Sequence, residues 1–137
     1  MNINVDEIKR ELECYNPKVI YLFGSAARNE LREDSDIDIA FLGKLNLNEY
    51  DIFMKAQELA FLLKRDVDLI DLRKASTVFK KEVVEKGKVI SCNDNNERML
   101  FEMRTLKEYA MLNEERNEII KNIRERGSVY GNGYNSK

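Results

Sequence analysis

The stretch FGSAARNELREDSDIDIAF, residues 23–41, decides how this chain is read. It holds Gly24-Ser25, ten intervening residues, then Asp36-Ile37-Asp38. DIDIAFL, 36–42, opens in strict polar–apolar alternation, the pattern of a half-buried strand. Successive side chains of a strand point to opposite faces, so Asp36 and Asp38 share one face while Ile37, Ile39 and Phe41 share the other. Two carboxylates so close repel, and neither buries cheaply without a cation to offset it. Hard oxygen ligands suit Mg2+, which commonly takes one or two protein carboxylates and fills its remaining positions with phosphate and water. Just upstream, KVIYLF, 18–23, is a short β-rich apolar run that ends at Gly24-Ser25. A strand that leaves through Gly-Ser into a short helix, Ala26 to Leu31, presents free backbone N–H groups to an anion. Gly24 lets a phosphate approach the backbone, Ser25 supplies a hydroxyl donor, and Arg28 adds charge for phosphate oxygens. Either half alone is ordinary: a solvated strand with two acids, or a Gly turn with a Ser cap. Together, four specified residues at fixed spacing arise by chance in a chain this long only roughly a few times per thousand.

Around that segment the chain reads as alternating helices and strands. Residues 4–14 are expected to be helical, with Asn4 as cap, Glu7 three positions later, Val5, Ile8 and Leu12 on one stripe, and Asn16-Pro17 as the stop. Asn46 or Asn48 caps a helix to about Lys64, with Leu47, Ile52, Ala56, Leu59, Ala60 and Leu63 inward. DVDLIDL, 66–72, alternates again and reads as a third strand. Ser76 or Thr77 opens a helix that Gly87 stops, and KVIS, 88–91, is a short fourth strand. Residues 95–126 form one long helical pattern whose apolar stripe is Met99, Met103, Leu106, Ala110, Ile120 and Ile123. GSVYGNGYNSK, 127–137, is read as a flexible tail. The expectation is one domain over 1–126, of α+β class, with a short mixed β-sheet flanked by helices and a long C-terminal helix. A third carboxylate would complete a two-metal site. Asp66 and Asp68 share a face of the third strand and Asp71 takes the other. Asp68 is the choice, Asp66 the fallback, and Asp71 a cap or a solvated strand end. Glu33 and Asp34 read as loop charges.

Composition narrows the chemistry. The 137 residues suit a single domain, 43% apolar residues can fill a core, and 35% charged residues suit a soluble surface. A net charge of −2 and a pI near 5.4 argue against a general nucleic-acid binder, so no direct nucleic-acid partner is expected. No apolar run approaches the ~20 residues that cross a bilayer. The N-terminal MNINVDEIKRELE is too polar and acidic for a signal peptide. A cytoplasmic location follows as the expectation, with Cys14 and Cys92 as reduced thiols. The chain has no histidine, which removes histidine bases and Cys/His zinc sites. Any chemistry must use carboxylates, hydroxyls, amines or a bound metal.

GS-x10-DxD resembles the signature of nucleotidyltransferases related to DNA polymerase β. FGSAAR and SDIDIAF look like the minimal nucleotidyltransferases of prokaryotes. The length, the long last helix and the RGSVYG ending are similar to the antitoxins of HEPN–MNT toxin–antitoxin pairs. The likeness covers residues 1 to about 90 well; one departure is Asn29, where many relatives carry Gly after the Arg. The resemblance implies a polymerase β-like fold and Mg2+-dependent transfer of AMP from ATP to a tyrosine hydroxyl of a cognate HEPN ribonuclease toxin, which silences it. It implies that Asp36 and Asp38 hold two Mg2+ ions. Asp68 would hold one of them and help remove the hydroxyl proton, and Gly24 and Ser25 would hold the triphosphate. Larger relatives carry an added domain for an RNA or aminoglycoside acceptor. The few residues after the last strand here suit an acceptor that brings its own docking surface, with the long helix and Tyr109 as part of the contact. Two other readings remain: a small-molecule transferase of aminoglycoside type, and a non-catalytic antitoxin that acts by binding alone. The intact set of acids weighs against the second.

Overall fold

The computed structural model describes residues 3–28 and 35–130. In chain order the elements are α1 (Val5–Leu12), β1 (Val19–Phe23), β2 (Ile37–Leu42), α2 (Glu49–Leu63), β3 (Val67–Asp71), α3 (Thr77–Lys86), β4 (Lys88–Cys92) and α4 (Asn95–Tyr130). The strands form one mixed sheet in the order β3-β2-β1-β4. β1 runs antiparallel to both β2 and β4, whereas β2 and β3 are parallel. A parallel pair cannot be joined by a tight turn, and α2 is the crossover that returns the chain. The α+β class and the long last helix are as the alternation led us to expect.

Side-chain alternation divides the core. One face of the sheet carries Ile20, Leu22, Ile37, Ile39, Phe41 and Leu69, and these pack with Ile8 and Leu12 of α1 and Ile52, Ala56 and Leu59 of α2. The other face carries Val19, Tyr21, Ala40 and Leu42, with Leu72, Val83 of α3 and Phe101 of α4 against them. Caps fix where the helices start. The Asn4 side chain accepts from the Glu7 N–H at 3.1 Å, Asn48 from Tyr50 at 2.8 Å and Ser76 from Phe79 at 3.1 Å. Asn46, the alternative cap for α2, sits instead in a left-handed turn at φ 57°. α1 ends sooner than expected, at Leu12. A 3-10 turn over Glu13–Tyr15 and the left-handed Asn16 (φ 48°) finish it before Pro17.

Gly87 stops α3 as expected, as its C-cap and without a left-handed conformation (φ −75°). Glycine is needed there because a Cβ would meet the carbonyls of Val83 and Leu22. On α4, the predicted apolar stripe does not face the body: Met99, Met103, Leu106, Ile120 and Ile123 are 43–65% exposed. The helix docks through a different face. Tyr21 Oη donates to Glu102 at 2.8 Å, Arg98 pairs with Glu102 at 3.1 Å, Thr105 is buried and Phe101 joins the core. Lys81 of α3 lies 4.8 Å over the Tyr109 ring and Lys80 pairs with Glu108 at 3.4 Å. Burial of Tyr21 and its bond to Glu102 push its hydroxyl pKa far upward, so this anchor stays a neutral donor. α4 runs to Tyr130, four residues past the expected end, and residues 131–137 of the expected tail lie outside the described residues. Among the described residues no helix is long and apolar enough to cross a membrane.

Candidate active site

β1 and β2 pair so that Phe23 stands opposite Asp38. The chain therefore leaves β1 at Gly24, directly beside that carboxylate. Gly24 adopts φ +66°, and a Cβ built on it would collide with Asp38 Oδ2. Both facts demand glycine: the left-handed backbone is strained for other residues, and only hydrogen leaves room for the acid. The turn falls at Gly24-Ser25 as expected, but helical backbone begins there and not at Ala26, as a 3-10 helix over Gly24–Ala26. The Ala27 N–H closes on Gly24 O and the Arg28 N–H on Ser25 O, each at 3.2 Å. The first N–H groups of such a turn have no partner within it, so they are open to an anion. Arg28 is exposed one turn on. The remainder of the expected short helix, to Leu31, lies outside the described residues, as do Asn29, Glu33 and Asp34.

The parallel register of β2 with β3 pairs Asp38 with Asp68. In-register neighbours on adjacent strands share a face, so Asp36, Asp38 and Asp68 all lie on the α3 and α4 side of the sheet, at its end. Asp38 is half-buried, while Asp36 and Asp68 are exposed. Burial raises the Asp38 pKa above the ordinary carboxylate value, and the negative charges of Asp68 and then Asp36 raise it further. Part of the apolar surroundings is the Phe23 ring, which packs edge-on to Phe79 of α3, centroids 5.2 Å apart. Asp66 lies just before β3, two residues ahead of Asp68. Its carbonyl accepts from the Ile37 N–H at 2.9 Å, which sets it level with Asp36. Asp71 does cap, as expected, its carboxylate accepting from the Arg73 N–H at 3.0 Å. It is also 6% exposed, so it is buried and not solvated.

Sequence reasoning missed Arg65. Its guanidinium donates to the carbonyl of Ser35 at 3.1 Å, and the next residue, Asp66, holds Ile37. The residues on either side of Asp36 are thus pinned by one dipeptide immediately before β3. Only the long-range pairing of β2 with β3 reveals that clamp.

Three acids on one face, one of them half-buried with its charge disfavoured, suit a divalent cation, whose charge offsets both burial and repulsion. Among the described residues, no three such side chains are already drawn in close enough to form a ligand cage. Mg2+ in nucleotide sites relies on substrate phosphates for part of its shell.

Comparison with known proteins bears on this geometry. The family model described as "Polymerase beta, Nucleotidyltransferase" matches residues 6–96. The chain is 39% identical over 123 residues to the protein adenylyltransferase MntA of Shewanella oneidensis, covering 88% of each chain. It is similar to a chain of a toxin–antitoxin crystal structure with AMP-PNP (TM-score 0.78, 39% identity, 88% of this chain and 98% of that one). It is also similar to a chain of the tri-AMPylated Shewanella oneidensis HEPN toxin in complex with MNT antitoxin (TM-score 0.72, 38% identity, 88% and 95% covered).

Proposed function

The chain belongs to the polymerase beta nucleotidyltransferase family, and from that premise we propose that it is an Mg2+-dependent adenylyltransferase antitoxin. It moves AMP from ATP to a tyrosine hydroxyl of a cognate HEPN toxin in the cytoplasm. The observation that carries this reading is the register that sets Asp68 beside Asp38, with Asp36 on the same face and Gly24 against the carboxylate. The names of the relatives, an adenylyltransferase and a complex with an AMPylated toxin, support the acceptor.

In this reading Asp36 and Asp38 hold two Mg2+ ions and Asp68 holds one. Bound ions of this kind steady the attacking and leaving oxygens of an in-line displacement. The N–H groups at Gly24 and Ser25, with the Ser25 hydroxyl, cradle the triphosphate, and Arg28 adds positive charge. Asp68 accepts the proton of the tyrosine hydroxyl. The oxygen bonds to the α-phosphorus, and the bond from that phosphorus to pyrophosphate breaks. Phe23, opposite Asp38 across the β1–β2 pair and packed on Phe79, lowers the polarity beside that acid and so strengthens its charge interactions. The exposed stripe of α4 offers apolar surface for the toxin. ATP labelled on the α-phosphate tests the reading. With cognate toxin and Mg2+, label should enter the toxin from the α-position and not from the γ-position. Toxin inhibited without label would establish binding alone, and label on an aminoglycoside but not on the toxin would establish the small-molecule reading.

A further inference from the structure

The sheet has two edges, and they differ. The β4 edge opens with Lys88 and pairs through a register irregularity between Ile20 and Tyr21, both of which blunt an edge against further pairing. The β3 edge, VDLID, carries no Lys, no Pro and no such irregularity. Because Asp66 O points toward β2, the backbone groups of Val67 and Leu69 point outward, away from the sheet. A cavity of about 430 Å3 runs along that edge beneath α2, from Val67 to Ala75. Ile52, Phe53 and Ala56 line its apolar side, and Glu49, Asp71 and Lys74 line its polar side. Asp71 is 6% exposed, yet its Oδ2 has no hydrogen-bond partner among the described residues. Lys74 does not supply one; its ammonium donates to the Leu47 carbonyl. A buried carboxylate oxygen left without a donor is costly, and such an atom calls for a missing partner.

We propose that the outer edge of β3 and this cavity dock an extended segment of the protein that accepts AMP. The proposal rests on the adenylyltransferase reading and adds how the acceptor is held. A segment hydrogen-bonded to the outward groups of Val67 and Leu69 becomes a fifth strand. Its side chains then alternate between the two faces of the sheet. A tyrosine level with Asp68 lies on the carboxylate face, and strands spaced about 4.8 Å apart put its hydroxyl within reach of that acid. The residue next to it in sequence points the other way, into the cavity against Phe53 and Ala56. An apolar side chain with an N–H or O–H tip fits that space and supplies the donor that Asp71 Oδ2 lacks. One strand position thus couples recognition on the α2 face to chemistry on the α3 face.

Two substitutions test this without touching the acids. Phe53 is 59% exposed on the cavity rim, so Phe53→Glu spoils the anchor pocket and not the core. Val67→Pro removes an outward N–H at the first residue of β3 and leaves the bonds to β2 in place. With cognate HEPN toxin, ATP and Mg2+, each should raise the KM for toxin by about tenfold or more, with kcat and the KM for ATP within about twofold of wild type. On the wild-type chain, which needs no variant, toxin binding should slow amide exchange at Val67 and Leu69. Unchanged toxin KM in both variants, or no slowing at those two amides, overturns the proposal. A change in the mass of the free protein with no change in toxin KM also overturns it, because the edge would then pair with a second copy. Failure of the wild-type chain to label the toxin from α-labelled ATP is a different result and sinks the adenylyltransferase reading itself.

Discussion

Along β2, Ile37, Ile39 and Phe41 on one face are at most 1% exposed, while on the other Asp38 is half-covered and Asp36, just before the strand, is open to solvent. The first set packs against α1 and α2, where the contacts are apolar and satisfied. The second faces its own kind, with Asp68 across the strand boundary and a raised pKa at Asp38 as the consequence. One face of the strand lowers the free energy of folding along its whole length; the other does so at Ala40 and Leu42, but at its start holds charges that folding alone disfavours. A sequence keeps the second arrangement when something bound offsets it, which is why local conflict is a pointer to function.

The largest expected separation of the two faces is in rate. Asp38→Asn, Asp36→Asn and Asp68→Asn should each slow AMP transfer at least about a thousandfold, because each removes charge stabilisation worth several kcal/mol. Their melting temperatures should not fall, and thermal melts beside the transfer assay check both. On the opposite face Ile39→Ala should cost about 3 kcal/mol of stability through lost burial and the cavity left behind. Transfer per folded molecule should stay close to wild type. Should Ile39→Ala lower kcat as much as Asp38→Asn does, the division between faces is lost. Gly24→Ala should reduce transfer about a hundredfold, since the new methyl displaces Asp38 from a position chemistry depends on. Arg65→Ala, which removes the guanidinium bond to the Ser35 carbonyl beside Asp36, should cost about tenfold in transfer, with partial recovery in Arg65→Lys. It should also weaken Mg2+–nucleotide binding in calorimetry.

The smallest effect is the most diagnostic of the sign. Asp38 is more basic folded than unfolded, so the native state holds its proton over a range where the unfolded chain has lost it. Ionisation above that raised pKa weighs against the native state. In EDTA at neutral pH, Asp38→Asn should therefore melt at or slightly above wild type. The gap should close as the pH falls through the raised pKa toward the ordinary value near 3.9. Mg2+ with nucleotide should reverse the order, because only the wild-type site gains the ligand.

Alternation made much of this legible. The period of DIDIAFL put Asp36 and Asp38 on one face, and the period of DVDLIDL put Asp66 and Asp68 on one face. What alternation cannot give is register. The pairing of Asp38 with Asp68, the clamp from Arg65 and the packing of Phe23 on Phe79 depend on strands and helices distant in sequence. α4 shows the opposite failure. Its period marked a helix correctly, but its most apolar stripe is not its docking face. The polar anchor of Tyr21, Glu102 and Arg98, with Thr105 and Phe101, decides the rotation about the axis.

Intact mass of the cognate toxin after incubation with ATP, Mg2+ and each of wild type, Asp68→Asn and Asp66→Asn tests the central claim most directly. Wild type and Asp66→Asn should add about 329 Da per AMP to the toxin, the mass of adenylylation and not of phosphorylation, while Asp68→Asn adds none on the same timescale. Toxin modified by Asp68→Asn at the wild-type rate would contradict the account, because the carboxylate that the β2–β3 register sets beside Asp38 would then have no part in the reaction.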